Sequence, residues 1–337
     1  MVKKRFALPA LVVAASLALA GCSSSGESEQ ETSQAGEVTT VSVEDNYGVK
    51  EVSVPASKVA ATDNRSFELL DKWGVDLVAA PKQLIPFTVT DYREDDSIVD
   101  LGSHREPNLE ALAAAQPDLV INGQRFSQYY EDIVSLNPQA TVVELEPRED
   151  KPLADELKRH TLALGELFDK KSEAQETVEA FDAALARAKK AYDGAATVMA
   201  VNVTGGEINY IAPSTGRTFG PVFDMLGLKP ALEVENASQD HRGDDIGVEA
   251  IAEANPDWFF VLDRDGAVSA RTEPGFVKAQ QIVQDNAVLS QLAAIKDKHV
   301  YYAPQDTYTN ESILTYTEIL NGIADAFESG AGNDEAV

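Results

Sequence analysis

The sequence predicts an α/β fold made of two Rossmann-like lobes that are joined by one long helix. Short apolar runs that are typical of buried strands alternate with helix-forming segments in both halves of the chain, as in "DLVING" and "DWFFVLD". Between the halves this alternation stops, and helix-forming residues run from Pro152 to Tyr192. We therefore expect two lobes with mainly parallel sheets on either side of a helical connector.

The first 37 residues differ in composition from the rest of the chain. Lys3, Lys4 and Arg5 precede an apolar run that ends in Leu-Ala-Gly-Cys, and this pattern predicts a secretory signal over residues 1–22. Cys22 is the one cysteine of the sequence and has no disulfide partner. The next stretch, "SSSGESEQETSQAGE", has no large apolar side chain, so we expect residues 23–37 to be a flexible tether.

The first lobe is predicted over residues 38–165. It starts with "TTVSVEDNYGVKEVSVP", which alternates polar and apolar residues on both sides of a turn and predicts a hairpin. Strand-like and helix-like segments then alternate from "KVAATD" to "ATVVELEP". This order favours an α/β lobe with a mainly parallel sheet.

The connecting helix is predicted over residues 166–193, after an interruption of the helical pattern around Gly165. The apolar residues of this helix are spaced four, three, four and three positions apart; they are Ala174, Val178, Phe181, Leu185 and Ala188. The second lobe is then predicted over residues 194–328. We expect residues 329–337, which end in "AGNDEAV", to be a disordered tail.

Composition and charge exclude several classes of function. The formal net charge is −28, which argues against contact of the folded part with nucleic acid or an anionic membrane. The sequence has no Gly-x-Ser-x-Gly or His-Glu-x-x-His motif, and its one cysteine lies in the predicted signal, so we expect no enzyme activity. The histidines are too scattered for a zinc or manganese site; they are His104, His160, His241 and His299.

One phrase occurs once in each predicted lobe. Residues 108–121 read "NLEALAAAQPDLVI", and residues 247–260 read "GVEAIAEANPDWFF". The repeat indicates two similar folding units, or an acidic residue that each unit presents to the same kind of partner. The acids in question are Glu110 and Glu249, and each is also placed to face a helix dipole from the first helical turn.

The ordered set of motifs resembles the class III substrate-binding lipoproteins of ABC importers, which take up ferric siderophores, haem and cobalamin. "LGSHREPNLEALAAAQPDLVINGQRFSQYYEDI" looks like their first-lobe signature. "IAPSTGRTFGPVFDMLGLKP" and "ANPDWFFVLDRDGAV" are similar to the branch that binds catecholate-type ferric siderophores. The resemblance covers nearly the whole chain after the predicted signal.

The resemblance implies a siderophore-binding lipoprotein, with its ligand cleft between the lobes. Cys22 would carry the lipid on the extracytoplasmic face of a bacterial cell membrane, and no other part would contact the membrane. The expected partners are an Fe(III)-siderophore and an ABC permease dimer with its cytoplasmic ATPase, and the protein itself is expected to be a monomer without a cofactor. The alternative ligands within this class are haem and cobalamin.

Three arginines match the positions that converge on the ligand in that branch, and they are Arg125, Arg217 and Arg264. A ferric ion held by three catecholates has a formal charge of about −3, which three guanidinium groups would neutralise, and each group has a planar face for an electron-rich ring. The alternative is that these arginines form surface ion pairs in a very acidic protein.

Further site residues follow from the resemblance. Tyr130 is expected to line the cleft or to pack the following helix, whereas His241 and Tyr308 lie near positions that coordinate iron when the siderophore is tetradentate. The protein is otherwise not expected to bind metal directly. Glu110 and Glu249 are the predicted anchors on the permease, and Glu106 is the rival of Glu110 in the first lobe.

Overall fold

The computed structural model describes residues 38–238 and 240–333. The predicted signal (1–22) and tether (23–37) lie outside the described residues. Within the described ranges, no helix combines the length and the apolar character that crossing a membrane requires.

The first half of the described chain is built on a parallel five-stranded sheet. The strands of this half are β1 Thr39–Asp45, β2 Gly48–Val54, β3 Val59–Ala61, β4 Leu77–Ala80, β5 Val99–Asp100, β6 Gly102–Ser103, β7 Glu106–Pro107, β8 Leu119–Asn122 and β9 Thr141–Glu144. The sheet has the order β5-β4-β3-β8-β9, and every neighbouring pair is parallel. β1 and β2 form the expected antiparallel hairpin, and β6 pairs with β7.

Helices cover both faces of this sheet. They are α1 Phe67–Lys72, α2 Thr90–Glu94, α3 Leu109–Ala115 and α4 Tyr130–Leu136, with a 3-10 helix, Gln124–Tyr129, before α4. Along β8, Leu119 and Ile121 enter one apolar cluster and Val120 enters another on the opposite face. Burial on both faces explains why the strand sequences are continuous apolar runs.

Two helices, α5 Leu153–Leu167 and α6 Lys171–Ala191, connect the halves. The helix predicted over 166–193 thus begins at Lys171, and the break falls at residues 168–170 instead of Gly165. Gly165 lies inside α5 where α6 packs against it, since a Cβ at this position would come within 2.5 Å of the Ala174 Cβ. The glycine therefore marks a close helix–helix approach and not a helix end.

The second half repeats the architecture with one antiparallel strand. Its strands are β10 Thr197–Thr204, β11 Glu207–Ile211, β12 Lys229–Pro230, β13 Trp258–Asp263 and β14 Val300–Tyr302, in the order β11-β10-β13-β14, with β12 beside β10. Its helices are α7 Gly220–Leu226, α8 Val248–Ala254, α9 Arg264–Ala267, α10 Ala279–Asp285, α11 Ala293–Lys296, α12 Thr307–Asn310 and α13 Ile313–Ser329. The 3-10 helices Ser269–Thr272 and Leu289–Gln291 complete this half.

The repeated phrase has the same structural role in both halves. α3 and α8 each end on a left-handed residue, Gln116 (φ 53°) and Asn255 (φ 44°). The aspartates that follow also have matching contacts. Asp118 accepts from the Ser57 amide, just before β3, at 2.8 Å, and Asp257 accepts from the Thr197 amide at the start of β10, at 2.7 Å. In each lobe, the aspartate of the Pro-Asp step therefore bonds the end of the helix to the first strand region of the sheet. The repeated phrase reflects two similar folding units.

One apolar core runs through both halves. The largest cluster of buried side chains contains Ile121 from the first sheet, Phe260 from the second sheet, and Phe181 and Ile319 from α6 and α13. Hydrogen bonds add to this connection around α12, where Asn64 donates to the Thr309 carbonyl oxygen at 2.8 Å. The two lobes therefore share packing in addition to the covalent connector.

The chain end differs from the predicted disordered tail over residues 329–333. Ser329 ends α13, and Gly330 takes the left-handed conformation of a helix C-cap (φ 68°). The Gly332 amide donates to the Lys298 carbonyl at 2.7 Å, and the Asn333 side chain exchanges two hydrogen bonds with the backbone of Tyr302. This segment therefore covers the edge of β14; residues 334–337 lie outside the described part.

Candidate functional site: an arginine-lined interlobe cleft

Arg125 comes from the first lobe, immediately after β8. Gly123 is packed so closely that a Cβ there would lie 2.9 Å from the Asp63 Cγ, and Gln124 has a left-handed backbone (φ 51°). This tight turn redirects the chain from the strand into the 3-10 helix and places Arg125 at the carboxyl end of the parallel sheet. Ligands of open α/β sheets bind at this edge.

The second lobe supplies the other two predicted arginines. Arg264 follows β13 and opens α9, where the Asp263 carboxylate caps the helix by accepting from the Gly266 amide at 2.8 Å. Arg217 lies in the loop between β11 and α7, next to the left-handed Thr218 (φ 65°). Both arginines are thus held by short, strongly bent segments.

The three arginines converge on Tyr308. The guanidinium carbons of Arg125, Arg217 and Arg264 lie 5.4, 4.3 and 5.0 Å from the centre of the Tyr308 ring. Tyr308 is buried in α12. The predicted convergence of arginines is therefore present in the geometry, and the structure adds an aromatic ring at its centre.

The arginines lower the pKa of the Tyr308 phenol below its ordinary value of 10.0. Burial acts in the opposite direction, because it disfavours the charged phenolate. Burial is the largest single effect, but the charges of Arg217 and Arg125 and the side-chain hydrogen bonds from Arg264 and Arg125 together outweigh it. Tyr308 is therefore easier to deprotonate than its burial alone would allow.

Arg217 is neutralised by a buried acid. Its Nε lies 3.1 Å from both carboxylate oxygens of Glu311, and its Nη2 donates to Oε2 at 2.6 Å. The Thr218 hydroxyl also donates to this carboxylate, at 2.6 Å. Burial would raise the pKa of Glu311, but Arg217 and its other donors hold the pKa at about 2. Glu311 is thus a carboxylate at neutral pH, and Arg217 brings no net charge to the cleft.

Arg264 has a weaker acidic partner. Its Nη1 lies 3.3 Å from an Asp265 oxygen and 3.1 Å from the Thr204 hydroxyl. Within the described ranges, Arg125 forms no ion pair with an acidic side chain. Two of the three predicted arginines are therefore partly or fully balanced by acids, so these three alone do not neutralise a ligand of charge −3.

A cavity of about 560 Å³ opens beside Tyr308 between the lobes. Its wall contains five arginines and no aspartate or glutamate among the described residues; the five are Arg93, Arg105, Arg125, Arg264 and Arg271. In a chain with 56 acidic and 28 basic residues, such a wall concentrates positive charge where a ligand would bind. Sequence reasoning missed Arg93 and Arg271, since each lies in a short helix without a motif, and it missed Arg105, although this residue lies inside the quoted first-lobe signature.

Two histidines lie near the same charges. His104 lines the cavity, and its pKa is lowered by burial and by the charges of Arg125 and Arg105. His241 is partly exposed, 3.8 Å from Asp240, and its pKa is lowered mainly by burial, with Arg264 contributing. Within the described ranges, no group of three or more His, Cys, Asp or Glu side chains is placed to hold a metal ion.

Tyr130 does not lie in the cleft. Its ring stacks on Tyr47 of the β1–β2 hairpin with centroids 3.7 Å apart, and its hydroxyl accepts from the Lys50 ammonium at 2.9 Å. This corrects the expectation of a ligand-binding Tyr130, whose ring packs on the hairpin and not in the cleft. The neighbouring Tyr129 is closer to the cavity, because its hydroxyl donates to the carbonyl of His104 at 2.6 Å.

The three acids predicted to dock on a permease lie on the surface. Glu110 and Glu249 are exposed in the first turns of α3 and α8, and Glu106 is exposed in β7. None of them lines the interlobe cavity.

Two α/β lobes with a charged cleft define a ligand-binding protein of the two-lobed type. The model of the periplasmic binding protein family matches residues 59–307, and the chain belongs to this family. The predicted class, a substrate-binding protein with an extracytoplasmic role and not an enzyme, is thereby confirmed.

Curated relatives match over most of their length. The chain is 26% identical over 331 residues to the petrobactin-binding protein YclQ of Bacillus subtilis, covering 96% of this chain and 99% of the relative. It is 28% identical to the ferric-anguibactin-binding protein FatB of Vibrio anguillarum, covering 86% and 88%.

Solved structures have the same fold. The YclQ structure superposes with a TM-score of 0.71 at 25% identity, covering 86% of this chain and 99% of that one. The periplasmic catecholate-siderophore binding protein VctP of Vibrio cholerae gives a TM-score of 0.73 at 21% identity, covering 85% and 99%. The expected two-lobed α/β architecture is confirmed.

Proposed function

We propose that the protein captures an anionic ferric siderophore of the catecholate or mixed catecholate type and delivers it to an ABC permease for iron uptake. The observation that carries the proposal is the cavity wall of arginines next to Tyr308, without an acidic side chain among its described residues. Of the two curated relatives, one is named for petrobactin and the other for ferric anguibactin.

The chemistry of the wall suits such a ligand. Guanidinium groups offer charge, hydrogen-bond donors and a planar face for electron-rich catecholate rings. An anion that enters the cavity loses water, and unpaired arginines replace that hydration most effectively. Haem and cobalamin, the alternative ligands, are less suited. Cobalamin is close to neutral and haem carries its negative charge on two propionates at one edge of an apolar ring, so neither complements five arginines around one cavity.

A titration tests the proposal. Ferric tris-catecholate should quench Tyr and Trp fluorescence with a submicromolar dissociation constant, in the full chain after removal of the leader. Iron-free catechol and ferric hydroxamates, which are neutral or cationic, should bind far more weakly. Equal binding of haem and ferric catecholate would contradict the proposal.

Tyr308 and His241 are the proposed iron ligands when a siderophore leaves two coordination positions open. The lowered pKa of the Tyr308 phenol favours its phenolate form, and neutral imidazole at His241 is favoured by its own lowered pKa. A tetradentate ferric catecholate should then develop a new phenolate-to-iron absorption band that Tyr308→Phe removes. A band that persists in this variant would exclude Tyr308.

Cys22 is the proposed site of lipid attachment, which would anchor the protein to the extracytoplasmic face of the cell membrane. The support is the Leu-Ala-Gly-Cys sequence and the tether-like composition that follows it. Cys22→Ser should release the protein from washed membranes with its siderophore affinity unchanged. Membrane retention of this variant would refute the anchor.

Delivery requires a permease, and Glu110 and Glu249 are the proposed anchors, with Glu106 as the alternative to Glu110. Their equivalent places on α3 and α8 suit a permease dimer with two-fold symmetry, which would be served by a cytoplasmic ATPase. The binding protein itself is proposed to act as a monomer, which sedimentation with and without ligand would check.

A further inference from the structure

A second pair of arginines lies apart from the group around Tyr308. Arg271 belongs to the second lobe, and its guanidinium carbon lies 3.9 Å from the centre of the Phe87 ring of the first lobe. Arg93 belongs to α2 and donates to the carbonyl oxygen of Ile85 at 2.6 Å. Both line the interlobe cavity, but neither makes a cation–π contact with Tyr308.

These two arginines are close enough to repel each other. The pKa of Arg93 is lowered by burial and by the charge of Arg271. Within the described ranges, no acidic side chain forms an ion pair with either guanidinium. An anion bound between the two guanidinium groups would reduce their repulsion. It would also accept hydrogen bonds from N–H groups that form no ion pair in the described part of the chain.

Both guanidinium groups are oriented before a ligand arrives. The Arg271 guanidinium carbon lies 3.9 Å from the centre of the Phe87 ring, and a guanidinium that contacts a ring through its face keeps its N–H edge for other contacts. The bond to Ile85 ties one end of Arg93. A planar anion with two oxygens suits such edges, because carboxylates accept paired, parallel hydrogen bonds from guanidinium.

The wall of the same cavity also contains apolar side chains, including Leu84, Ala267 and Val268. This stretch suits the hydrocarbon backbone that links the iron-binding arms of a chelator. The iron centre and a second anionic group of one ligand would then contact different arginines of the same cavity.

We propose that Arg93 and Arg271, positioned by Phe87, form a second anion subsite that binds a free carboxylate on the siderophore backbone, away from the chelated iron. The inference rests on the proposed siderophore function and deepens it. The ligand class is a ferric catecholate that carries a carboxylate which does not coordinate iron.

Two synthetic hexadentate tris-catecholamide chelators test the subsite. They are identical except that one carries a free backbone carboxylate and the other carries the matching methylamide, so their ferric complexes differ by one negative charge. Wild-type protein should bind the carboxylate complex about tenfold more tightly than the amide complex. Arg93→Gln and Arg271→Gln should each bring this ratio close to one, because they weaken binding of the carboxylate complex by about tenfold more than binding of the amide complex.

Two further variants serve as controls. They distinguish a specific effect on the subsite from a loss of folding and from a change in the net charge of the protein. Phe87→Leu keeps an apolar side chain but loses the ring face, so it should reduce the ratio partly. Arg187→Gln removes one positive charge from an exposed site on α6, where Arg187 pairs with Asp325 and Glu328, and should leave the ratio at its wild-type value. Melting temperatures of all variants report on folding.

The outcomes are distinguishable. Equal wild-type affinity for the two complexes, or variants that weaken both complexes to the same degree, would overturn the subsite while the siderophore function stands. Failure of wild-type protein to bind either complex would overturn the proposed function and the subsite with it.

Discussion

Arg125 is the residue whose replacement should affect ligand binding most directly. It lies 5.4 Å from the Tyr308 ring, lines the cavity and forms no ion pair in the described part of the chain. Its charge is therefore fully available to an anionic ligand, in contrast to the charges of Arg217 and Arg264.

Arg125→Ala should weaken ferric catecholate binding by about 5- to 150-fold, because one charge-assisted and stacked contact is lost. Arg125→Lys should recover part of the loss, since it keeps the charge and loses the planar face. Fluorescence titration measures both, with Arg187→Ala as the control for an exposed arginine. A lower melting temperature with unchanged affinity would instead assign Arg125 a structural role.

Arg217 has a role in stability that the other cleft arginines lack. Replacing it with Met leaves Glu311 buried beside fewer donors, so Arg217→Met should lower the free energy of unfolding by about 3–5 kcal/mol. Addition of Glu311→Gln removes the buried charge and should recover part of this loss. Chemical denaturation of the two variants gives the comparison, and an unchanged stability of Arg217→Met would contradict it.

The Arg217–Glu311 pair makes the free energy of unfolding depend on pH. The pKa of Glu311 is lowered from 4.5 to about 2 in the folded protein. Its contribution to stability is therefore complete above pH 4.5 and is lost as the pH falls towards 2. The wild-type curve of unfolding free energy against pH should be steeper in this window than that of the Arg217→Met, Glu311→Gln double variant. Parallel curves would show that Glu311 does not contribute to the pH dependence of stability.

At the scale of elements, α3 and α8 place Glu110 and Glu249 at equivalent positions of the two lobes. Both helices are short, begin with an exposed acid and end before a Pro-Asp step that bonds to the sheet. In either lobe, an acid in the first turn interacts favourably with the helix dipole. This local role affects the helix alone, whereas permease docking affects iron uptake, so the two roles make different predictions.

Glu110→Ala and Glu249→Ala should leave ligand affinity intact and reduce iron uptake, and the double variant should transport far less than either single variant. Two anchors on one body act through effective concentration, so one anchor still holds a tethered complex. Glu106→Ala, measured alongside, decides between the two candidates of the first lobe. Wild-type uptake by the double variant would leave the acids with a helix-dipole role alone.

At the scale of the whole molecule, the lobes are connected by more than a hinge. One apolar core contains side chains of both sheets together with α6 and α13, and α12 bonds to the first lobe through Asn64 and Thr88. A large rotation of one lobe would expose part of this core and break these hydrogen bonds.

Ligand-induced closure should therefore be small, on the order of a few degrees. Small-angle scattering curves with and without ferric catecholate should nearly superimpose. A clear decrease in the radius of gyration on binding would contradict this prediction and would indicate that the shared core divides when the cleft closes.

Sequence by itself determined most of the elements, and the resemblance singled out the three arginines that lie around Tyr308, whereas tertiary structure decided how their charges are balanced. Apolar periodicity is a local property, so it predicted the hairpin, the parallel strands and the long helical segment. A break in the helical pattern was predicted around Gly165, but this glycine lies inside α5. Its role, a close approach to Ala174, depends on how α5 packs on α6 and cannot be seen in the local sequence. Glu311, Arg93 and Arg271 could not be assigned to the site from the sequence. Ion pairing and repulsion depend on distances between residues that are far apart in the chain, and they produce no periodic sequence pattern.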